Sequence, residues 1–415
     1  MHDEGRRRDA SRLRALDGLR FLAAAAVVVF HYTGRDNPGW GQDVHEVFPT
    51  LSRLTVYGGF GPYLFFMISG FVVLMSAWGR SSTSFIASRV GRLYPAYWAA
   101  VVLVAAVLWI APVVPVWSDL GAPGVALNLT MFQSAFGVGH VDGVFWTLWV
   151  ELKFYVLLAL VGLGGFTRGR LLLLCLAWPL LGAMGAQAGS SLVTALLEPN
   201  YAPFFCIGIL LYLVRQDGWS TPVALLLGAN VATALWVCKA HYVPDTADVS
   251  SVPVSMWAVT LLFLACLGAV VLVTLTRVAE VDWRWLTTAG ALTYPLYLVH
   301  ELPGWALIQQ LAPVLPAHVV VAVTVTAALA VAWGVHRFVE RPLGPRLRAA
   351  VQRDLDRLLA ERSPRRRPVP PTTARVTPPT GVPTGMPPVP RHAAAAGHGA
   401  AVGADTVRRE PVRTA

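Results

Sequence analysis

Two ionisable side chains, Arg20 and His31, lie within one long apolar run of the sequence. Residues 16–32 read LDGLRFLAAAAVVVFHY, with Asp17 also near the start. The eleven positions from Arg20 to His31 cover roughly 16–17 Å of helix, about half of a bilayer core. An ionisable group inside a membrane helix costs on the order of 2.5–3.5 kcal/mol, so it usually marks function or a buried partner. The alternative is that Arg20 extends to the membrane surface and His31 is a hydrogen-bonded packing residue.

Two later apolar runs also carry ionisable groups. FWTLWVELKFY contains Glu151, and ALTYPLYLVHE contains Tyr294, His300 and Glu301. With the topology derived below, we expect Glu151 at the depth of His31, and the second histidine and acid at mid-to-outer depth. A histidine held by a carboxylate in an apolar setting can act as a general base on a hydroxyl near neutral pH. The alternative is a buried polar cluster that only holds helices together.

A third set of polar residues lies at helical spacing. Arg89 and Arg92 in SFIASRVGRLYPAYW share a helix face, so both guanidinium groups can bind one phosphate-bearing ligand. By spacing alone, anchoring at the cytoplasmic membrane surface is the favoured interpretation. Ser69 lies among glycines in GGFGPYLFFMISGFVVL, where small residues favour close helix packing over an approach to a ligand.

The composition fits a membrane protein and excludes a soluble globular one. The 415 residues are 55% hydrophobic and only 13% charged, with a mean hydropathy of +0.55, whereas soluble domains have about 25% charged residues. Repeated apolar runs predict an all-α polytopic membrane protein with about ten transmembrane helices. The ten spans lie near residues 16–34, 57–78, 94–115, 144–163, 170–188, 200–215, 221–239, 253–276, 286–311 and 318–338.

The distribution of arginine predicts the orientation in the membrane. An even number of spans puts both termini on one side, and the connections on that side are rich in arginine. The opposite side includes connections 116–143, 189–199, 241–252 and 312–317, which contain neither Lys nor Arg. Only the connection 35–56 breaks the pattern, through Arg35 and Arg53. Positive loops stay in the cytoplasm, so we expect both termini to be cytoplasmic and the protein to lie in the plasma membrane.

The net charge of +10 comes mostly from one terminal segment. From residue 346 to the end, thirteen Arg oppose five acids, a net charge of +8. This excess fits an anionic cytoplasmic leaflet better than a nucleic acid. We therefore expect a basic cytoplasmic N-terminus at 1–12, a membrane domain at 13–345, an amphipathic surface helix at 346–362 and a disordered basic tail at 363–415. The four cysteines are dispersed singly and have no metal-binding spacing.

Several blocks, taken in order, resemble the acyltransferase-3 family of multi-pass bacterial membrane O-acyltransferases, over roughly residues 13–345. The blocks are RALDGLRFLAAAAVVVFHY, with its Arg–ten residues–His spacing, FGPYLFFMISGF, SRVGRLYPAYW, FWTLWVELKFY, YPLYLVHE and FVERP. Three positions depart from the family's usual pattern: Tyr63 stands for a frequent Asp, Lys153 for an acidic or polar residue, and Phe21 for Gly. These departures bear on acceptor choice.

The resemblance implies transfer of an acyl group, commonly acetyl, from cytoplasmic acyl-CoA to a hydroxyl, with no bound cofactor or metal. It implies that His31 is the catalytic histidine and Glu151 a carboxylate needed at the same site. His31 would take the hydroxyl proton or carry the acyl group itself. Arg20, Arg89 and Arg92 become donor-side groups near the CoA phosphates rather than anchors.

The acceptor side is less defined. Candidate acceptor-side or supporting residues are Asp17, Ser69, Tyr294, His300 and Glu301, and the acceptor is a glycan, a glycolipid or a small metabolite. Two other classes of protein stay open. A proton-coupled transporter or flippase would use His31, Glu151 and His300 as a proton relay. A structural or signalling protein would use the same residues only to hold its helices together.

Overall fold

The computed structural model describes residues 13–362, which form helices and connecting turns without a β-strand. Nine segments in this range are long and apolar enough to cross a membrane. The predicted all-α polytopic membrane fold is therefore confirmed. The N-terminus at 1–12 and the tail at 363–415 lie outside the described residues.

Fourteen helices of seven or more residues are numbered here in chain order. They are α1 (Arg14–Thr33), α2 (Gly61–Ala77), α3 (Ser82–Ile110), α4 (Val116–Asn128), α5 (Trp146–Val161), α6 (Arg168–Gln187), α7 (Ser191–Leu197), α8 (Ala202–Asp217), α9 (Thr221–Val237), α10 (Met256–Leu275), α11 (Arg284–Val299), α12 (Glu301–Leu311), α13 (Ala317–Val335) and α14 (Arg341–Arg362). Shorter helical turns connect several of them, including π-helical turns at Cys238–Tyr242 and His336–Glu340.

The predicted span at 286–311 is not one continuous helix. It is divided at His300 into α11 and α12, which have 16 and 11 residues, so neither half alone has the length of a span. Pro303 explains the interruption, because it has no N–H to bond the carbonyl oxygen of Val299 four residues earlier and its ring crowds that group. The His300 side chain lies at the same break. Its Nδ1 lies 2.8 Å from the carbonyl oxygen of Tyr297, which in an uninterrupted helix would accept from the N–H of Glu301.

Glycines allow the central helices to touch at their backbones. A Cβ atom on Gly70 of α2 would overlap the carbonyl oxygen of Phe205 in α8, and one on Gly208 of α8 would overlap that of Met67. Almost every residue of α8 is buried, so this helix forms the centre of the bundle. The glycines of the second apolar run therefore serve helix packing, as the spacing favoured.

Two other helix pairs flank the polar residues of the interior. Helix α1 packs on α11, where a Cβ on Gly290 would contact Asp17. Helix α14 packs on α3, where Gly91 faces the Gly344 carbonyl oxygen and the Cβ of Arg348. Helix α14 covers residues 346–362, for which the sequence predicted a surface helix, and begins at Arg341.

Candidate active site

His31 lies in the last turn of α1 and is only 6% exposed. Carbonyl groups at a helix C-terminus lack intrahelical partners and must find others. Here Trp305 Nε1 and Asn37 Nδ2 donate to the His31 carbonyl oxygen at 3.0 and 3.2 Å, and Trp40 Nε1 donates to that of Tyr32 at 2.8 Å. These bonds fix the end of α1, and with it the position of the imidazole.

A second imidazole, that of His300, packs edge-on against the first. His300 Nε2 lies 3.1 Å from His31 Nδ1, and the ring centroids are 4.9 Å apart. The Tyr32 hydroxyl donates to the His300 carbonyl oxygen at 2.7 Å, and the absence of a side chain at Gly304 leaves room for the Tyr32 ring. The interruption between α11 and α12 is thus held directly against α1.

The neighbours of the two rings define which nitrogens carry hydrogen. His300 Nδ1 faces the Tyr297 carbonyl oxygen and His31 Nδ1 faces that of Val27 at 2.9 Å, and carbonyls only accept. Both Nδ1 atoms are therefore donors, and in the neutral pair the single hydrogen on His31 Nδ1 is shared between the Val27 carbonyl oxygen and His300 Nε2. Of the two rings, only His31 has a basic nitrogen, Nε2, that does not face another imidazole.

A carboxylate and a guanidinium group meet at this nitrogen. His31 Nε2 lies 3.4 Å from Glu301 Oε1 and 3.4 Å from Arg35 Nη1, and Arg35 donates to Glu301 Oε1 at 2.8 Å. The Arg35 guanidinium also lies over the Trp305 ring. Glu301 is 1% exposed, and its Oε2 accepts from the Val144 N–H at 2.9 Å. A proton taken up by His31 would be stabilised by this carboxylate.

Asp142 completes the group, which we call the histidine cluster: His31, His300, Glu301, Arg35 and Asp142. Its fully buried carboxyl group accepts from the N–H groups of Val144 and Leu302 at 3.3 and 3.4 Å. Burial, and then the neighbouring Glu301 carboxylate to which it is hydrogen-bonded, raise the pKa of Asp142 well above its ordinary value. Since Glu301 is paired with Arg35, Asp142 is the acid that keeps its proton.

The expectation that Glu151 is the carboxylate beside His31 is not met. Glu151 Oε1 accepts from the Ser69 hydroxyl at 2.8 Å, and Glu301 takes the place next to the imidazole. Glu151 lines both internal cavities together with Arg20 and Tyr294, and Tyr294 stands six residues before His300 on α11. Glu151 therefore lies on the side of Arg20 rather than beside the His31 imidazole.

Two internal cavities meet at Glu151. The cavity on the histidine side, about 50 Å³, is lined among others by Thr147 and Tyr297. The cavity on the arginine side, about 90 Å³, is lined among others by Arg89 and Arg92. Both are lined by Arg20, Ser69, Glu151 and Tyr294, so the two cavities adjoin.

Tyr297 separates the first cavity from the histidine cluster. Its hydroxyl accepts from Thr147 Oγ1 at 3.0 Å, while its ring packs 5.7 Å from the His300 ring. The cavity therefore ends one side chain away from the two histidines.

The three predicted donor-side arginines line the same cavity. Arg89 donates to the Ser76 hydroxyl at 2.7 Å and lies over the rings of Phe85 and Tyr155. The Nε atoms of Arg20 and Arg89 are buried without a hydrogen-bond partner. Buried donors of this kind fit an anionic ligand.

The remaining predicted residues occupy supporting positions. Asp17 packs at Gly290, one turn before Arg20 on α1. The Tyr294 hydroxyl donates to the Leu93 carbonyl oxygen at 3.1 Å, which joins α11 to α3 beside the cavities. Ser69 orients Glu151.

Sequence reasoning missed two members of the histidine cluster, Arg35 and Asp142. Arg35 carried a signal, because it stands in the one connection that breaks the arginine-free pattern of its side. Asp142 carried none, since a single acid before a helix is an ordinary feature. Among residues 13–362, no group of three or more His, Cys, Asp or Glu side chains is placed to hold a metal ion.

Comparison with known proteins adds independent information. Residues 13–337 match the acyltransferase-3 family model, described as an acyltransferase domain. A curated relative, the acyltransferase MdmB of Streptomyces mycarofaciens, is 28% identical over 151 residues, which are 35% of this chain and 38% of the relative. The chain thus aligns with less than two-fifths of that relative's length. No solved structure matches.

Proposed function

Because this chain belongs to the acyltransferase-3 family, we propose that this membrane acyltransferase moves an acyl group, commonly acetyl, from acyl-CoA to a hydroxyl of an acceptor. The acceptor is a glycan, a glycolipid or a small metabolite. The observation that carries the proposal is the line of cavities, which begins at three arginines and ends one side chain from His31.

The donor enters from the arginine side. Arg20, Arg89 and Arg92 supply positive charge for the phosphates, since guanidinium groups bind phosphate oxygens with directed hydrogen bonds. The acyl thioester then extends along the two cavities, past Glu151 and Ser69. The Tyr297 ring moves aside for the thioester carbonyl to reach His31.

The histidine cluster supplies the base. His31 Nε2 takes the proton of the acceptor hydroxyl, the hydroxyl oxygen attacks the thioester carbonyl carbon, and the C–S bond breaks. The proton passes from Nε2 to the departing CoA sulfur. Glu301 stabilises the transient imidazolium, and His300 holds the tautomer by accepting from Nδ1. A covalent route through an acyl group on Nε2 uses the same nitrogen.

The arginine side is the cytoplasmic side in this proposal, and the membrane is the plasma membrane with both termini inside. The support is the arginine distribution of the sequence together with the place of Arg89 and Arg92. A reporter enzyme fused after residue 362, active only in the cytoplasm, tests the orientation. Activity of a periplasm-only reporter at that site would contradict it.

Transfer itself is tested with the purified full chain in nanodiscs and radiolabelled acetyl-CoA. Mass spectrometry of surface glycans and extracellular metabolites from a deletion strain, searching for a missing acetyl or longer acyl mass, identifies the acceptor. Acyl-CoA-dependent labelling of that acceptor, restored by the wild-type protein, supports the proposal. Uptake driven by a pH gradient without any dependence on acyl-CoA would indicate a transporter instead.

A further inference from the structure

An open groove of about 850 Å³ lies where α14 and the turn before it pack on α3. Arg92, Ser84 and Ser88 line it from α3, and Arg341, Arg348 and Gln352 line it from α14. The close approach of Gly91 to Gly344 and Arg348 brings the two helices together along its floor. The groove is large enough for a nucleotide-sized ligand.

The groove is positively charged. Its three arginines face only one acid in the lining, Glu340, and that carboxylate is already bound to His336 Nδ1 at 2.8 Å. The serine hydroxyls of α3 are additional hydrogen-bond donors. Three guanidinium groups and the hydroxyl donors face one carboxylate that is already hydrogen-bonded, so the lining has a net positive charge that suits phosphate groups.

The groove adjoins the interior of the protein through Arg92. This side chain lines both the groove and the arginine-side cavity, which in turn shares Arg20 and Glu151 with the cavity that ends at Tyr297. A ligand that fits all three spaces has a bulky polyanionic head and one narrow arm. A nucleotide thioester has this shape.

We propose that this groove binds the phosphate-bearing nucleotide part of the acyl donor, with Arg341 and Arg348 as donor-binding residues. Both belong to α14, which lies beyond the matched family region at 13–337. This inference rests on the proposed function and adds to the donor site a second part that lies outside the matched region. Arg92 connects the two parts.

The test compares arginines on two faces of the same helix. Arg348→Gln and Arg341→Gln remove charge from the groove, whereas Arg353→Gln and Arg357→Gln remove the same charge from exposed positions outside it. Full-length variants are placed in phosphatidylcholine nanodiscs, and the Kd for CoA and the KM for acetyl-CoA are measured. We expect each groove variant to raise the Kd and the KM about tenfold with little change in kcat, and the control variants to change either constant less than twofold.

A lipid headgroup is the other source of phosphate for such a groove. Repeating the measurements with phosphatidylglycerol in the nanodiscs separates the two sources. If the groove variants bind CoA like the controls in phosphatidylcholine but lose an activation by phosphatidylglycerol, the groove binds lipid and the proposal is overturned.

Failure of the groove and failure of the enzyme proposal give different results. Wild-type protein that binds CoA and transfers acetyl, with Arg348→Gln equal to Arg353→Gln, overturns the groove alone. Wild-type protein that neither binds CoA nor transfers acetyl to any acceptor overturns the proposed function, and the donor role of the groove with it.

Discussion

The Nδ1 atom of His31 lies 3.1 Å from the Nε2 atom of His300, although the two residues are 269 positions apart in the chain. The Nδ1 atom of each ring also faces a backbone carbonyl oxygen and must carry a hydrogen, so His31 donates to His300 and not the reverse. The basic Nε2 of His31 is therefore left facing Glu301 and Arg35.

Replacing His31 should abolish transfer. In His31→Ala and His31→Gln no basic nitrogen remains opposite Glu301, so we expect acetyl transfer to fall by about 10²–10⁴-fold with CoA binding retained. The matched control is His318→Gln, an exposed histidine at the start of α13. Full activity of either His31 variant, measured with radiolabelled acetyl-CoA, would rule out its role.

The two interior glutamates should affect different kinetic constants. Glu301 lies beside His31, so Glu301→Gln should lower kcat with little effect on the KM for acetyl-CoA. Glu151 lines the cavities next to Arg20, so Glu151→Gln should chiefly change that KM. Steady-state kinetics of both variants check this assignment. The opposite pattern would restore Glu151 as the partner of the histidine.

Arg35 should stabilise the protein by neutralising Glu301. Arg35→Gln leaves the Glu301 carboxylate, which is 1% exposed, without its cation. We expect a loss of about 2–3 kcal/mol in the free energy of unfolding. This is less than for a fully buried pair, because the Arg35 side chain is 29% exposed and partly screened by solvent. Arg53→Gln, at an exposed position of the same connection, is the control. In thermal unfolding, the double variant Arg35→Gln, Glu301→Gln should regain most of the loss. A strictly additive double variant would argue against the pair.

Asp142 should make stability depend on pH. Its pKa is raised in the folded state, so the native protein holds a proton that the unfolded chain releases above its ordinary pKa of 3.8. Stability is therefore greatest below that value and falls as the pH rises towards the folded pKa, by at most about 1.4 kcal/mol per pH unit. Asp142→Asn should flatten the profile, and Asp248→Asn, at an exposed position, should not. Identical melting profiles for wild type and Asp142→Asn would contradict the assigned proton.

The contact between α2 and α8 should not tolerate a methyl group. Gly208→Ala would place a Cβ on the Met67 carbonyl oxygen, so we expect strongly reduced amounts of folded protein in the membrane. Gly268→Ala in α10 adds the same atom where nothing lies within 4 Å, and should be neutral. Size-exclusion profiles of fluorescent fusions compare the two. Equal amounts of monodisperse protein would show that the helices can separate.

The fold was predictable from the sequence because each apolar run is long and bounded by arginine or proline-rich turns. The prediction failed for the span at 286–311, which has the length and hydropathy of one transmembrane helix but consists of two helices. It is interrupted because Pro303 lacks the N–H that would bond the Val299 carbonyl oxygen, and a hydropathy average does not register the loss of one backbone hydrogen bond.

The site was predictable in part. The spacing of Arg20 and His31 places both on one helix, as the structure has them. For Arg89 and Arg92 spacing alone favoured anchoring at the membrane surface, and only the family resemblance predicted a donor-side role. Which carboxylate meets His31 depends on the rotation and order of three helices, and spacing contains no such information. Glu301 and Glu151 could therefore not be distinguished before the packing was known.

The backbone contact between α2 and α8 at Gly70 and Gly208 prevents these two helices from sliding along each other. Any movement that opens the interior must therefore leave these two helices in register, and helices outside this pair have to shift instead.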